Sequence, residues 1–278
     1  KYGVDAMRLY YAHIGSPHID VVWTEEVVLN YKNALERIHS LVEGLSTCNG
    51  KQKLIDHWII SRLHEHLHTI NASMEEYNLR DMASAVYFSM YDDLRWYLRR
   101  GGEHKQTITT FLRAWCVLMN PVTPHLSEEL HLVFTAPSST APSSKTLVSN
   151  SAWPELQKEN INHAANAGEE LVRETMNSMR NVMALAKIEK PRKFTFFVSE
   201  AWKYGLFTLL QHEVNVTRNL GEILRRVLQE EGLKLRGNDV SKLVQTVIKD
   251  VSKLPTMVTS QEQELAVLND ARKLLETE

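Results

Sequence analysis

At 278 residues, the chain is long enough for one large domain or two of ordinary size, each able to bury its own core. Hydrophobic residues make up 43% and charged residues 24%, the balance of a soluble globular protein, and no apolar run approaches the roughly 18 residues that a membrane span needs. Only Cys48 and Cys116 occur, too few for a disulfide scaffold and not spaced as a zinc pair, so two reduced thiols in the cytoplasm are expected.

The first residue is Lys1 rather than Met, which reads as a boundary or processing site, and no signal-peptide pattern follows it. A net charge of −2 excludes a uniformly basic protein, but the charge is uneven. Residues 185–253 hold 13 Lys and Arg against 8 Asp and Glu, a mild sign of a polyanionic partner. A solvated lysine-rich helix face would produce the same count.

In chain order the pattern is helix after helix. A short helix over 4–13 leads through a loop with Gly15 and Pro17 to a long helix over 25–45, broken at Asn49 and Gly50. Over 51–77, Ile55, Ile59, Leu63, Leu67, Ile70 and Met74 recur at steps of three and four, the apolar stripe of a packed helix. Asn78 is an N-cap candidate for a helix over 79–100, and Gly101 with Gly102 closes it. A helix over 107–120 ends at Pro121. Thr123 before Pro124 then reads as an N-cap followed by proline at the first helical position, opening a helix to Phe134. Residues 136–150, with their Ala-Pro-Ser-Ser repeat, have almost nothing to bury and read as a mobile surface loop. A helix over 164–187 completes the bundle.

Past Pro191 the pattern changes. Residues 193–198, Lys-Phe-Thr-Phe-Phe-Val, read as a strand, and helices follow over 201–214, 217–231, 238–252 and 260–276. One strand cannot satisfy its own backbone donors and acceptors, so this second domain is expected to be cut short or paired with another chain.

Two motifs point to chemistry. His64, Glu65 and His68 fit H-E-x-x-H, in which two imidazoles one helical turn apart hold zinc and the glutamate polarises its water. Yet His64, His68 and His57 fall away from the apolar stripe, on what should be a solvent-facing row, and Asn71 and Met74 stand where a third histidine would follow. A zinc hydrolase is thus the lesser alternative. His13-Ile14-Gly15-Ser16 resembles the HIGH signature of class I synthetases, but it follows a helix, and no nucleotide-binding fold comes after it.

Cations form the other group. Arg95 and Arg99 lie one turn apart with Arg100 adjacent, and like charges at that spacing repel unless something compensates. Asp92 could do so locally. An RNA phosphate could do so by accepting a guanidinium bidentately, with Trp96 and Tyr97 stacking on a base or simply buried. Lys187, Lys190, Arg192 and Lys193 form a basic run, continued by Arg225 with Arg226 and by Lys234 with Arg236. Together they suit a surface that tracks phosphates.

Residues 111–134 carry a more specific pattern: a helix of large apolar residues, a corner with Pro121, and then Pro124-His125-Leu126-Ser127-Glu128-Glu129-Leu130. Trp153-Pro154 follows after the variable loop. This resembles the anticodon-binding helical bundle of class I aminoacyl-tRNA synthetases, where the motif fixes two helices across a sharp corner and does no chemistry. His131 stands where that group usually has Trp. Tyr2-Gly3-x-Asp5-Ala6-x-Arg8-Leu9-Tyr10, then Asp20 and Trp23, is similar to the stretch that follows the KMSKS loop in leucyl, valyl and isoleucyl enzymes. Asp93-Leu94-Arg95-Trp96-Tyr97-x-Arg99-Arg100, the segment from Lys193 through Trp202-Lys203-Tyr204, and Ala271-Arg272-Lys273-Leu274-Leu275-Glu276 narrow the resemblance to leucyl-tRNA synthetases of archaeal and eukaryotic type.

The resemblance implies a mainly α fold: a connector over 1–23, a bundle over 24–187 and a partial C-terminal α/β domain over 191–278. It implies a chain that holds tRNA(Leu), with Arg95, Arg99 and Arg100 toward the tRNA body and the basic residues from Lys187 onward toward the variable arm. Leucylation itself, with ATP and Mg, would belong to a catalytic domain outside this chain, since neither KMSKS nor a genuine HIGH motif is present. No cofactor, metal, DNA or membrane partner is expected of this chain. A valyl or isoleucyl enzyme, or a helical interaction module, is the alternative.

Overall fold

The computed structural model describes residues 2–15, 22–45, 47–135, 147–189, 191–251, 254 and 257–277. The chain divides into two compact units, Lys1–Ala165 and Asn166–Glu278. Among the described residues both are built from helices without a strand, so the mainly α expectation holds.

The first unit contains α1 (Val4–Ile14), α2 (Glu25–Gly44), α3 (Leu54–Glu75), α4 (Leu79–Ser84), α5 (Met90–Arg99), α6 (Lys105–Met119) and α7 (Pro124–Thr135). The apolar stripe of α3 is its central buried face. Ile55, Ile59, Leu63, Leu67 and Ile70 are all at most 3% exposed. At roughly 1.5–3 kcal/mol for each large side chain withdrawn from water, these five alone outweigh the helix's weak intrinsic propensity. Against them pack Leu94 and Tyr97 of α5 and Phe111, Trp115 and Leu118 of α6, in one continuous core. Leu9 and Tyr10 of α1 belong to the same core. Helix α1, within the span expected as a connector, therefore packs into the core of the bundle helices.

The helix expected over 79–100 carries a π turn, Ala85–Ser89, between α4 and α5. There the Met90 N–H bonds to the Ala85 carbonyl, five residues back. This leaves the Val86 carbonyl to another donor, and the indole N–H of buried Trp115 supplies it at 2.7 Å. Periodicity misses this insertion because the apolar residues on both sides of it still fall on the core face.

Helix α5 ends at Gly101 and Gly102 as expected. Gly101 has φ +78°, Gly101 and Gly102 donate to the carbonyls of Leu98 and Tyr97, and a Cβ on Gly102 would come within 2.3 Å of the Tyr97 ring. Helix α3 uses the same closure with Tyr77 in the glycine position. Its φ is +56°, Tyr77 and Asn78 donate to Met74 and Ser73, and its side chain is 90% exposed.

Thr123 does not cap α7 with its side chain. Its hydroxyl turns inward to Tyr87 Oη at 2.8 Å, and the cap comes from α1. Asp5 accepts the Leu126 N–H at 2.7 Å and bonds His125 Nδ1 at 2.9 Å. Arg8 holds the same corner by donating to the carbonyls of Val122 and Pro121 at 2.7 and 2.8 Å. Most of the loop expected over 136–150 lies outside the described residues. Its end is a 3-10 turn, Val148–Asn150, whose backbone N–H groups bond Glu128, with Val148 2% exposed.

The second unit contains most of α8 (His163–Ala186), then α9 (Ala201–Val216), α10 (Leu220–Val227), α11 (Glu231–Lys234), α12 (Gly237–Lys249), α13 (Gln261–Asp270) and α14 (Arg272–Thr277). The division between the two compact units falls at Ala165–Asn166, near the start of α8. The reason is local packing: Gly168 approaches Val267 of α13 so closely that a Cβ there would stand 3.0 Å from a Val267 methyl. A smaller core joins Leu206 and Leu210 of α9, Ile223 and Val227 of α10, Leu233 of α11 and Val240, Val244 and Val247 of α12. Asn219 caps α10 through the Gly221 N–H, which starts that helix three residues later than expected. Ser260 and Gln263 form a reciprocal capping box on α13.

The strand expected over residues 193–198 is not formed. The segment has no ladder partner among the described residues, and pairing, not β propensity, makes a strand. Phe194 and Phe196 stack parallel at 6.3 Å, while Phe197 is 93% exposed.

Candidate nucleic-acid interface

The cations singled out by sequence fall into three groups. Exposed Arg95 stands 5.6 Å from the Tyr91 ring and 3.9 Å from Asp92. Asp92 is thus the local partner, though with both side chains more than half exposed the pair contributes little. Arg99 is exposed and lies over Trp96 at 5.8 Å. Arg100 overturns the expectation for it. It is the last residue before Gly101 and is only 7% exposed, because the closing turn folds it back onto the bundle. Tyr97 is likewise buried, donating to Asp56 at 2.6 Å, so the base-stacking role considered for it falls.

In the second unit Arg226 and Arg236 are committed, to Glu213 and Glu200 respectively, both at 2.7 Å. Arg236 also lies over the Trp202 ring at 5.4 Å. Lys187, Arg192, Lys193, Arg225 and Lys234 are exposed and have no ion pair among the described residues. Lys187 occupies the left-handed closing position of α8, with φ +55°. Lys190 lies outside the described residues. Arg192 and Lys193 border a cavity of about 780 Å³ between α8, the segment over 193–198 and α13–α14.

One histidine of the row expected on α3 departs from expectation, while His57 is exposed as expected. His64 is not solvent-facing. It is 7% exposed and covered by residues 157–160, with Nδ1 accepting the Gln157 N–H at 3.3 Å and Nε2 within 3.0 Å of Asn160 Nδ2. Burial lowers its pKa, opposed by nearby Glu159. His68 does point to solvent, and Glu65 pairs with Arg62. A shared metal would need both imidazoles on one open face, and among the described residues no three His, Cys, Asp or Glu side chains are grouped to hold a metal ion.

His66, between them, instead joins Arg62 at the buried carboxylate of Asp93, each at 2.8 Å. Burial pushes the Asp93 carboxyl up, but the bonds from His66 and Arg62 outweigh it and hold it below the usual carboxylate range. Sequence reasoning missed this network because its three members look like ordinary polar-face residues until α3 and α5 are brought together. His13 is also structural, bonded to Tyr31 Oη at 2.7 Å and Ser84 Oγ at 3.0 Å. The remaining motif residues hold the frame: Trp153 donates to Asn71 at 2.9 Å, and Glu129 stands 3.4 Å from His39.

Among its described residues the first unit thus presents helices packed on one core, with the exposed arginines Arg95 and Arg99 beside half-buried Tyr91 and Trp96. Residues 56–199 match the anticodon-binding domain of tRNA ligases. The chain belongs to this family. Along 100% of its length it is 27% identical to a leucine–tRNA ligase from Methanococcus maripaludis and along 99% to one from Pyrococcus horikoshii, also at 27%. A leucine–tRNA ligase from Methanococcus vannielii is 30% identical over 81% of the chain. The chain spans 22–28% of the length of these relatives. The family match reaches from α3 to the segment over 193–198, so the anticodon-binding domain here includes α8 as well as the α6–α7 corner.

Proposed function

We propose that this chain is the tRNA-holding, C-terminal part of a leucine–tRNA ligase, positioning tRNA(Leu) for leucylation with ATP and Mg in a catalytic domain of the same enzyme, in the cytoplasm. The observation that carries it is similarity to leucine–tRNA ligases along the whole chain rather than over the bundle alone. The family assignment supports the tRNA, and the relatives' name supports leucine.

Physically, the role needs cations that solvent rather than carboxylates surrounds. Arg37, Arg95, Lys187, Arg192, Lys193, Arg225 and Lys234 are exposed, and among the described residues Arg95 alone of these has an ion pair, a loose one. Release of counterions from phosphates by about four of them would give a log–log salt slope of about −3 to −4. No helix among the described residues is long and apolar enough to cross a membrane.

Filter binding of the chain to leucine tRNA and to a tRNA with a short variable arm, at two salt concentrations, tests the proposal. Tighter binding to the long-armed tRNA with steep salt dependence is expected. Equal, salt-insensitive binding to both overturns it.

A further inference from the structure

The π turn at Ala85–Ser89 has a consequence on the surface. One extra residue in a helical turn rotates everything after it by about 100°. In this register Phe88, Tyr91, Asp92 and Arg95 share one side and, with Arg37 of α2, line a surface cavity of about 430 Å³. That lies within the size range of pockets that take a small ligand. Phe88 and Tyr91 are half-buried, Phe88 with the His13 ring centre 5.0 Å away and Tyr91 with the Arg95 guanidinium 5.6 Å from its ring, while Arg37, Asp92 and Arg95 are exposed. Arg37 has no ion pair among the described residues. The arrangement is anchored from behind, because the π turn is held by the bond from Trp115 to the Val86 carbonyl.

We propose that Arg37, Phe88, Tyr91, Asp92 and Arg95 form a pocket for a single unpaired guanine nucleotide of RNA. It rests on the RNA-binding reading above and deepens it. Two guanidinium groups at one rim suit the phosphate. Flat aromatic faces suit a base out of its stack, which is how proteins read RNA sequence. Asp92 selects the base. An ionised carboxylate only accepts hydrogen bonds, and guanine alone presents two adjacent donors, N1–H and the N2 amino group, on its Watson–Crick edge. Adenine, cytosine and uracil each place a lone pair beside their donor. In a duplex that edge is occupied, so the nucleotide must be unpaired.

The test uses the full chain and fluorescein-labelled RNA pentamers UUGUU, UUAUU, UUCUU and UUUUU, read by anisotropy at low salt. UUGUU should bind about tenfold more tightly than the other three. Asp92→Asn, at a side chain 72% exposed, should keep the fold and erase that preference. Tyr91→Ala should weaken all four by about tenfold, and Tyr91→Phe should restore them. Equal affinities for the four pentamers, or a preference that survives Asp92→Asn, overturns the pocket. Leucine tRNA titrated in parallel separates the two readings. Wild-type binding to tRNA without pentamer preference overturns the pocket alone. Pentamer preference without tRNA binding overturns the tRNA assignment alone.

Discussion

Replacing Trp115 with Phe should destabilise the first unit by about 2–4 kcal/mol. Trp115 is fully buried, and its indole N–H is the donor to the Val86 carbonyl that the π turn releases. Phenylalanine keeps the six-membered ring but offers no donor, so a buried carbonyl is left unsatisfied at a cost of about 1–3 kcal/mol. The lost ring volume, on the order of 40 Å³, adds about 1 kcal/mol at about 24 cal/mol per Å³ of cavity. Contact with Phe111, whose ring centre lies 5.8 Å away, survives in part. Urea denaturation followed by tryptophan fluorescence reads the change, because five of the six tryptophans lie in the first unit and four remain there in the variant. An unchanged m-value with a lowered midpoint is the expected signature. A loss below about 0.5 kcal/mol would show that the bond to Val86 does not hold the π turn, and the reasoning would fail.

Three further outcomes follow from particular contacts. Tyr77→Gly relieves a left-handed tyrosine whose side chain is 90% exposed, and should raise stability by about 0.5–1 kcal/mol in the same denaturation. Asp93→Asn should cost about 2–4 kcal/mol by leaving buried His66 without its carboxylate while Arg62 keeps Glu65. Because the folded-state pKa of Asp93 is depressed, its stabilisation is complete above the unfolded carboxylate value near 4 and fades as pH falls below it. The variant should therefore show a shallower acid limb in Tm against pH. His64→Ala should cost about 1–2 kcal/mol by orphaning the Gln157 N–H, with zinc content by plasma emission unchanged from wild type.

Legibility differed by region. Stripes such as Ile55 to Ile70 announced their helices because burial of one face imposes a period that any reader of the chain can count. Gly101, Asn78 and the α6–α7 corner were legible because turns and caps demand particular residue types nearby in sequence. The candidate pocket was legible only in pieces. Arg95 stood out as a cation, but Arg37 lies 58 positions earlier and carried no signal. Arg100 looked equivalent to Arg99, since exposure at a helix end depends on where the closing turn folds. His64 looked solvent-facing because residues 157–160, which cover it, are about 90 positions away.

By itself, then, the chain's order of residues determined the helices, most of their ends, the mainly α class and the kinship with tRNA ligases, all of which rest on local periodicity and short motifs. Tertiary structure alone decided that Asp5 rather than Thr123 caps α7, that residues 193–198 meet no ladder partner among the described residues, that most of α8 belongs to the second compact unit, and that a π turn sets Tyr91 and Asp92 beside Arg37. Each of those outcomes depends on which distant donor or surface meets a segment, and sequence spacing does not encode that meeting.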